Sequence, residues 1–203
     1  AIAGAIGIYF SLHALRTETL GHLQQEVVVR SQGVGRFFDQ LAAELLYLAD
    51  APALEELRLS RQKTDLHRIQ AATTRLERDY ITLATAYPHI YQIRYLAADG
   101  REIVRVDKKE DRVFVVPTER LQNKGDRYYF RDAMLRKPGE LYVSPLDLNV
   151  EYGKIEQPER PVIRVATPIG TGTGSNEGIL IINLYADFLL EQIQQMAQSR
   201  GGT

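Results

Sequence analysis

Apolar residues recur every seven positions at Leu20, Val27, Val34, Leu41 and Leu48, and Leu23, Phe37, Phe38 and Leu45 fill positions between them. That spacing predicts one long helix from about Thr17 to Asp50 with a single apolar face. Gly33 and Gly35 fall inside it and would permit a bend or a close approach by another helix. Ala51-Pro52 reads as a break, because the residue before a proline is driven out of the helical region. A second helix follows, marked by Leu66, Ile69, Thr73, Leu76, Tyr80, Leu83 and Tyr87 at steps of three and four, and Pro88 ends it. Both stripes fit burial in one core or against each other, and the sustained heptad also fits pairing between two copies of the chain.

Beyond Pro88 the period falls to two. Tyr91-Gln-Ile-Arg-Tyr-Leu alternates in the manner of a strand, Asp99-Gly100 is a turn dipeptide, and Arg101-Glu-Ile-Val-Arg-Val answers as the second arm of a hairpin. Ile93 and Tyr95 then share one face, and Arg94 and Leu96 the other. A third strand is expected at Val113 to Val116, and a short helix at Tyr128 to Leu135, ended by Pro138-Gly139. Further strands are expected near Leu141 to Ser144, Val162 to Pro168 and Gly178 to Leu184, and a closing helix from Asp187 to Gln198. Helices followed by a hairpin, a short helix and three more strands make an α+β fold with a mainly antiparallel sheet.

Composition narrows the function classes. With 44% hydrophobic and 25% charged residues over 203 positions the chain can bury a core, so disorder is excluded as the default. Lys+Arg number 25 against 26 Asp+Glu, which leaves no overall field to attract a polyanion and argues against nucleic acid as partner. The absence of cysteine removes disulfide and thiol chemistry. Ala1 to Leu15 carries no charge before Arg16 and reads as the end of a membrane helix; a cleaved-signal remnant and a buried soluble helix are the alternatives.

Chemistry concentrates between Leu121 and Pro168, where arginines and tyrosines sit among β-rich segments. From Leu121 to Lys137 five cations (Lys124, Arg127, Arg131, Arg136, Lys137) face two aspartates (Asp126, Asp132), a local excess suited to a small anion held by arginine forks between aromatic walls. The plainer alternative is a solvated helix face with Arg127 and Arg131 paired to Asp126 and Asp132. Asp147, Asn149 and Glu151 have the alternation of a calcium loop, but Gly153 comes one place late and Pro158 stands where the last ligand belongs. Gly170-Thr-Gly-Thr-Gly-Ser lacks the Lys of a phosphate loop and reads as a hairpin connection. His13, His22, His67 and His89 have no metal-ligand spacing. Neither a metal nor another cofactor is expected, and no triad order supports an enzyme.

The run YQIRYLAADGREIVRVD, then LQNKGDRYYFRDA, then GELYVSPLDLNVEYGKIEQPERPVIRVATP, and last GILIINLYADFL, resembles the Cache (PDC) extracytoplasmic sensor domain of bacterial sensor histidine kinases and diguanylate cyclases, from about Val29 to Leu190. The resemblance implies long N-terminal helices packed on a PAS-like, mainly antiparallel sheet with a small-molecule pocket on one face. It implies a domain order of 1–15 membrane helix, 16–88 helical stalk and second helix, 89–190 sensor sheet and 191–203 C-terminal helix leading onward. Many relatives carry two such sheets in tandem, whereas one fits here, either because the protein has a single sheet or because a second module lies outside the sequence.

Amino-acid-binding members of that family show Arg-x-Trp-Tyr-x-x-Ala, matched here by Arg127-Tyr128-Tyr129-Phe130-Arg131-Asp132-Ala133 with Tyr for Trp and Phe for Tyr. Arg127 or Arg131 is then the expected clamp for a carboxylate ligand, and Tyr129 and Phe130 a wall. Tyr142, Ser144 and Arg164 are further donors if their strand faces point inward. Asn183 stands where such relatives place an Asp for the ligand amine, which removes the reason to expect recognition of an α-amino group. The implied function is a non-enzymatic sensor, periplasmic on the inner membrane, anchored by its N-terminal helix, homodimeric, and signalling by a helix shift. The alternative is a helical dimerisation module with a vestigial pocket.

Overall fold

Ala51 separates two helices because Pro52 has no N–H to offer a preceding turn, yet the same proline is well placed as the first residue of a new helix. The computed structural model, which describes residues 35–110, 112–170 and 174–187, has helix α1 at residues 35–49 and α2 at Pro52–Gln62 directly after that break. The expected break at Ala51-Pro52 is present, and α2, which follows it at once, was not expected. Asp65 then caps α3, Leu66–Ala86, by accepting a hydrogen bond from the Arg68 N–H at 3.1 Å. Residues 17–34 of the expected long helix, the apolar segment Ala1 to Leu15 and the closing helix after Asp187 lie outside the described residues. Among the described residues no helix is long and apolar enough to cross a membrane.

The chain divides into two compact units, residues 1–40 with 188–203, and Leu41–Asp187. Of the first, residues 35–40 are helical, with the Phe37 and Phe38 rings edge to face at 5.6 Å between centroids. The second contains the sheet. Its strands are β1 Ile90–Ala97, β2 Glu102–Lys109, β3 Arg112–Val115, β4 Tyr142–Val143, β5 Asp147–Leu148, β8 Pro161–Ile169 and β9 Gly178–Tyr185, in the spatial order β3-β2-β1-β9-β8-β4 with β5 also against β8. Every pairing is antiparallel. A separate two-stranded ribbon joins β6 Val150–Glu151 to β7 Lys154–Ile155. The expected α+β fold with a mainly antiparallel sheet is the observed one. The short strands β5, β6 and β7 were not expected, since two-residue strands carry no legible alternation.

Central strands β1, β8 and β9 are buried on both faces, which is why Leu96 interrupts the polar alternation of β1. The face bearing Ile93, Tyr95, Val104 and Val106, which Leu180 and Ile182 of β9 share, packs at β1 and β2 under α3, whose Leu76, Tyr80, Leu83 and Ala84 are buried. Leu41, Leu45, Leu54 and Leu57 from α1 and α2 are fully buried as well, each worth about 1.5–3 kcal/mol of transfer free energy. Leu41 and Leu48 of the heptad, and Leu45 between them, are therefore core residues of this unit. Lys108 reaches from β2 to the end of α3 and donates to the carbonyls of Ala84 (3.1 Å) and Tyr87 (3.4 Å), acceptors that the helix itself leaves open.

The β1–β2 turn needs its glycine. Gly100 has φ +80°, and a Cβ there would lie 2.3 Å from the Gly125 backbone, which folds across the turn. Gly100→Ala is expected to cost about 2–3 kcal/mol from backbone strain and the clash with atoms that cannot rotate away. Urea denaturation measures it, and a loss below about 0.5 kcal/mol would show that the 125 segment yields freely.

Candidate functional site

Opposite the helices, the other face of the sheet changes character along its length. Towards the hairpin turn, Leu96, Ile179, Ile181 and Ala166 form an apolar floor covered by Tyr129, Phe130 and Ala133 of α4, Tyr128–Met134, with Tyr142 beside them. Away from the turn the same face presents Gln92 and Arg94 of β1, Arg105 and Asp107 of β2, Arg164 of β8 and Asn183 of β9. Arg94 and Arg164 are each 1% exposed. Such burial of two guanidinium groups is costly unless they are paired.

A β-bulge supplies one of the partners. The β1–β2 register slips between Tyr95 and Leu96, leaving Ile103 without a partner, so that Glu102 pairs with Leu96. Straight alternation would have put Glu102 with Val104 under the helices; the slip turns it to the polar face. There it accepts from Arg94 Nη1 at 3.3 Å, from Arg105 Nη1 at 3.4 Å and from the Gln122 N–H at 2.9 Å. Arg94 Nη2 donates to Asn183 Oδ1 at 2.9 Å, and Asn183 Nδ2 to Gln92 Oε1 at 2.8 Å.

Residues 147–156, comprising β5, β6 and β7, cross this face and bring three carboxylates to it. Asp147 accepts from Arg164 Nη1 and from the Tyr128 hydroxyl, both at 2.6 Å. Glu151 accepts from Arg105 Nη1 at 3.0 Å, Lys124 Nζ at 3.3 Å, Gln122 Nε2 at 2.5 Å, and Gln92 and Asn149 side-chain amides at 3.2 Å each. Glu156 accepts from the Tyr91 hydroxyl and from Asn149 Nδ2. The alternation Asp147-Asn149-Glu151 is thus satisfied by arginine, lysine and amides. Among the described residues no cluster of His, Asp or Glu is arranged to hold a metal ion.

The charges act on one another. Burial alone would raise the Glu151 carboxyl, but the positive Arg105, Arg94 and Lys124 and the Arg105 hydrogen bond override it and hold it far below the usual carboxylate range. Asp107, bidentate to Arg105 at 2.7 and 2.8 Å, is nevertheless raised, because burial outweighs its partner. Lys124 is lowered by burial and by Arg94. The Tyr128 hydroxyl is pushed up to about 12 by burial and by donating to Asp147.

The Tyr129 ring lies against both buried guanidinium groups, with Arg164 Cζ 4.6 Å and Arg94 Cζ 5.8 Å from its centroid. Arg94 Nε and Arg164 Nε are buried with no hydrogen-bond partner. Next to the network, a cleft of about 220 Å³ opens between β2 and the β6–β7 ribbon, lined by Tyr91, Arg105, Asp107, Phe114, Glu151 and Tyr152 among others.

Of the residues singled out in the sequence, Tyr129, Arg164 and Asn183 lie together on this face. Phe130 and Tyr142 belong to the adjoining apolar floor, Tyr142 with its hydroxyl 3.4 Å from Asp132. Ser144 is buried but turned to backbone, accepting from the Arg164 N–H and donating to the Pro145 carbonyl. Arg127 is half-buried at the start of α4 with Nε unpartnered, and Arg131 is exposed on the outer side of the helix. The two cations on the Tyr129 ring are Arg94 and Arg164, not the arginines of α4. Arg94, Glu102 and Arg105 were missed, and Glu151 was weighed only as part of a calcium loop; the signal for the strand residues was the polar pair at every second place, Gln92 with Arg94 and Arg105 with Asp107, inside strands too apolar to be solvent-facing.

No curated protein matches the chain in sequence. Solved structures of similar fold include a domain from Vibrio parahaemolyticus assigned to the sensory box/GGDEF family (TM-score 0.73, 21% identity, 85% of this chain and 62% of that one). The extracellular domain of vpHK1S-Z8, assigned as a histidine kinase, gives TM-score 0.71 at 21% identity over 84% of this chain and 58% of that one. The ligand-binding domain of the Campylobacter jejuni chemoreceptor Tlp3, solved in complex with L-valine, gives 0.63 at 13% identity over 89% and 65%. The chain therefore spans roughly three-fifths of these domains' length. The sequence profile described as the bacterial histidine kinase sensor domain matches residues 58–200, more than half of the chain, and the chain belongs to that family.

Proposed function

We propose that the chain is the extracytoplasmic, non-catalytic sensing input of a membrane signal receptor, and that it binds a small organic carboxylate on the polar sheet face beside α4. The observation that carries this reading is the pair of buried guanidinium groups against the Tyr129 ring, each with an unpartnered Nε. An arginine fork held between aromatic and apolar walls suits a desolvated carboxylate. A chemoreceptor domain of this fold takes L-valine, itself a carboxylate. Binding that shifts α1 relative to the sheet would be passed on through the membrane by the N-terminal helix, with two copies paired along Leu20, Val27 and Val34.

A thermal-shift screen of organic acids, amino acids and amino-acid amides tests the binding. At about one hundred times its dissociation constant a ligand adds roughly 2.7 kcal/mol, on the order of 5–10 °C in melting temperature for a domain of this size. Acids are expected to shift the domain and amides not. Arg164→Ala should abolish the shift, while Arg131→Ala should leave it. One specific observation favours the vestigial alternative: Glu102, Asp147 and Glu151 already pair the buried cations internally. If no acid shifts the domain at millimolar concentration, that alternative stands.

A further inference from the structure

Asp147 meets Arg164 in an incomplete way. Arg164 spends one nitrogen, Nη1, on Asp147 Oδ1, while its Nε stays buried and unpartnered. A carboxylate free of a backbone tether can align with two guanidinium nitrogens at once and makes the stronger, forked contact. Arg164 is 1% exposed, whereas the Asp147 side chain is 30% exposed, so the carboxylate occupying the cation is also the group nearest solvent. The same segment is fastened twice more, by Glu151 to Arg105 and Lys124 and by Glu156 to Tyr91. All its acidic side chains on this face thus sit on donors that an anionic ligand would need.

Resting on the carboxylate reading above, we propose that Asp147 is a built-in competing ligand that sets the specificity and threshold of the site. A carboxylate ligand binds Arg164 by taking the place of Asp147, and the displaced 147–156 segment loosens from the sheet. Neutral ligands cannot make the exchange, because they leave Asp147 on its cation. Occupancy is thereby read out as release of a surface strap rather than as closure over the ligand.

The test uses the 203-residue chain with acetate and succinate as probes. In the unaltered protein, succinate titration should move the Arg164 Nε–H resonance and raise amide hydrogen exchange across 147–156, while β1 and β9 stay protected. Asp147→Asn and Asp147→Ala should lower the apparent dissociation constant for succinate about tenfold. Asp147→Glu, which restores a carboxylate, should return it towards the original, and Asp79→Asn, an exposed carboxylate on α3 at the opposite face of the sheet, should not change it. Succinate binding of equal strength with and without the Asp147 carboxylate overturns the proposal alone. Protection of 147–156 that rises on binding also overturns it. Failure of both probes to bind any of these proteins overturns it together with the carboxylate reading.

Discussion

Glu151→Ala is expected to destabilise the domain by about 3–5 kcal/mol, the usual cost of removing one partner from a buried ion pair. Arg105 and Lys124 are 6% and 5% exposed and would be left facing each other, with Arg94 close by and only Glu102 and Asp107 to offset them. Glu151→Gln keeps an acceptor for the surrounding amides and should lose less. The same residue governs acid sensitivity. Its carboxyl is lower in the folded than in the unfolded chain, where 4.5 is the reference, so the stability it adds is fully present above about pH 4.5 and declines as pH falls towards its depressed folded value. Asp107 works in the opposite sense, since burial raises its carboxyl and favours protonation in the folded state. Urea midpoints between pH 7 and pH 3 should fall in the unaltered protein and fall less steeply in Glu151→Gln. Parallel curves would show that Glu151 is not the hub of the network.

Tyr129→Ala should cost about 3–5 kcal/mol, the range for removing a buried aromatic side chain. The ring is 2% exposed, seats α4 on the Leu96, Ile179 and Ile181 floor, and screens both Arg94 and Arg164 from water. Its loss opens a cavity next to two guanidinium groups with unpartnered Nε atoms, so water enters where the apolar and polar halves of the face meet. Tyr129→Phe keeps the ring under both cations and should cost less than about 1 kcal/mol. Chemical denaturation separates the two. A loss under about 1.5 kcal/mol for Tyr129→Ala would mean that Phe130 and Ala133 alone hold α4 in place.

The helices and long strands were legible because their patterns extend over many residues: α3 in its steps of three and four, β1 and β2 in their alternation around Asp99-Gly100, α4 in its span before Pro138-Gly139. The helix α2 was hidden because Pro52 marks an end as readily as a beginning. For the candidate site, composition between Leu121 and Lys137 pointed to α4 and to Tyr129, which lies on the polar sheet face, but it directed attention to arginines close in sequence. Arg131 is solvent-exposed, and the cations that reach the ring come from β1 and β8, 70 residues apart along the chain.

Periodicity, turn dipeptides and prolines are local, so which segments become helices or strands, and which residues of one strand share a face, follow from the chain's own order of residues. Partnership across strands is not local. That Arg164 stands opposite Asn183, that a one-residue bulge at Ile103 turns Glu102 from the helix side to the polar side, and that 147–156 lays Asp147 and Glu151 on buried cations are decided by register and by the crossing of distant segments. A slip of one residue exchanges every side chain between faces without altering the alternation that a reader of the sequence sees. Only the assembled sheet selects the register, because only there must every buried charge find its partner.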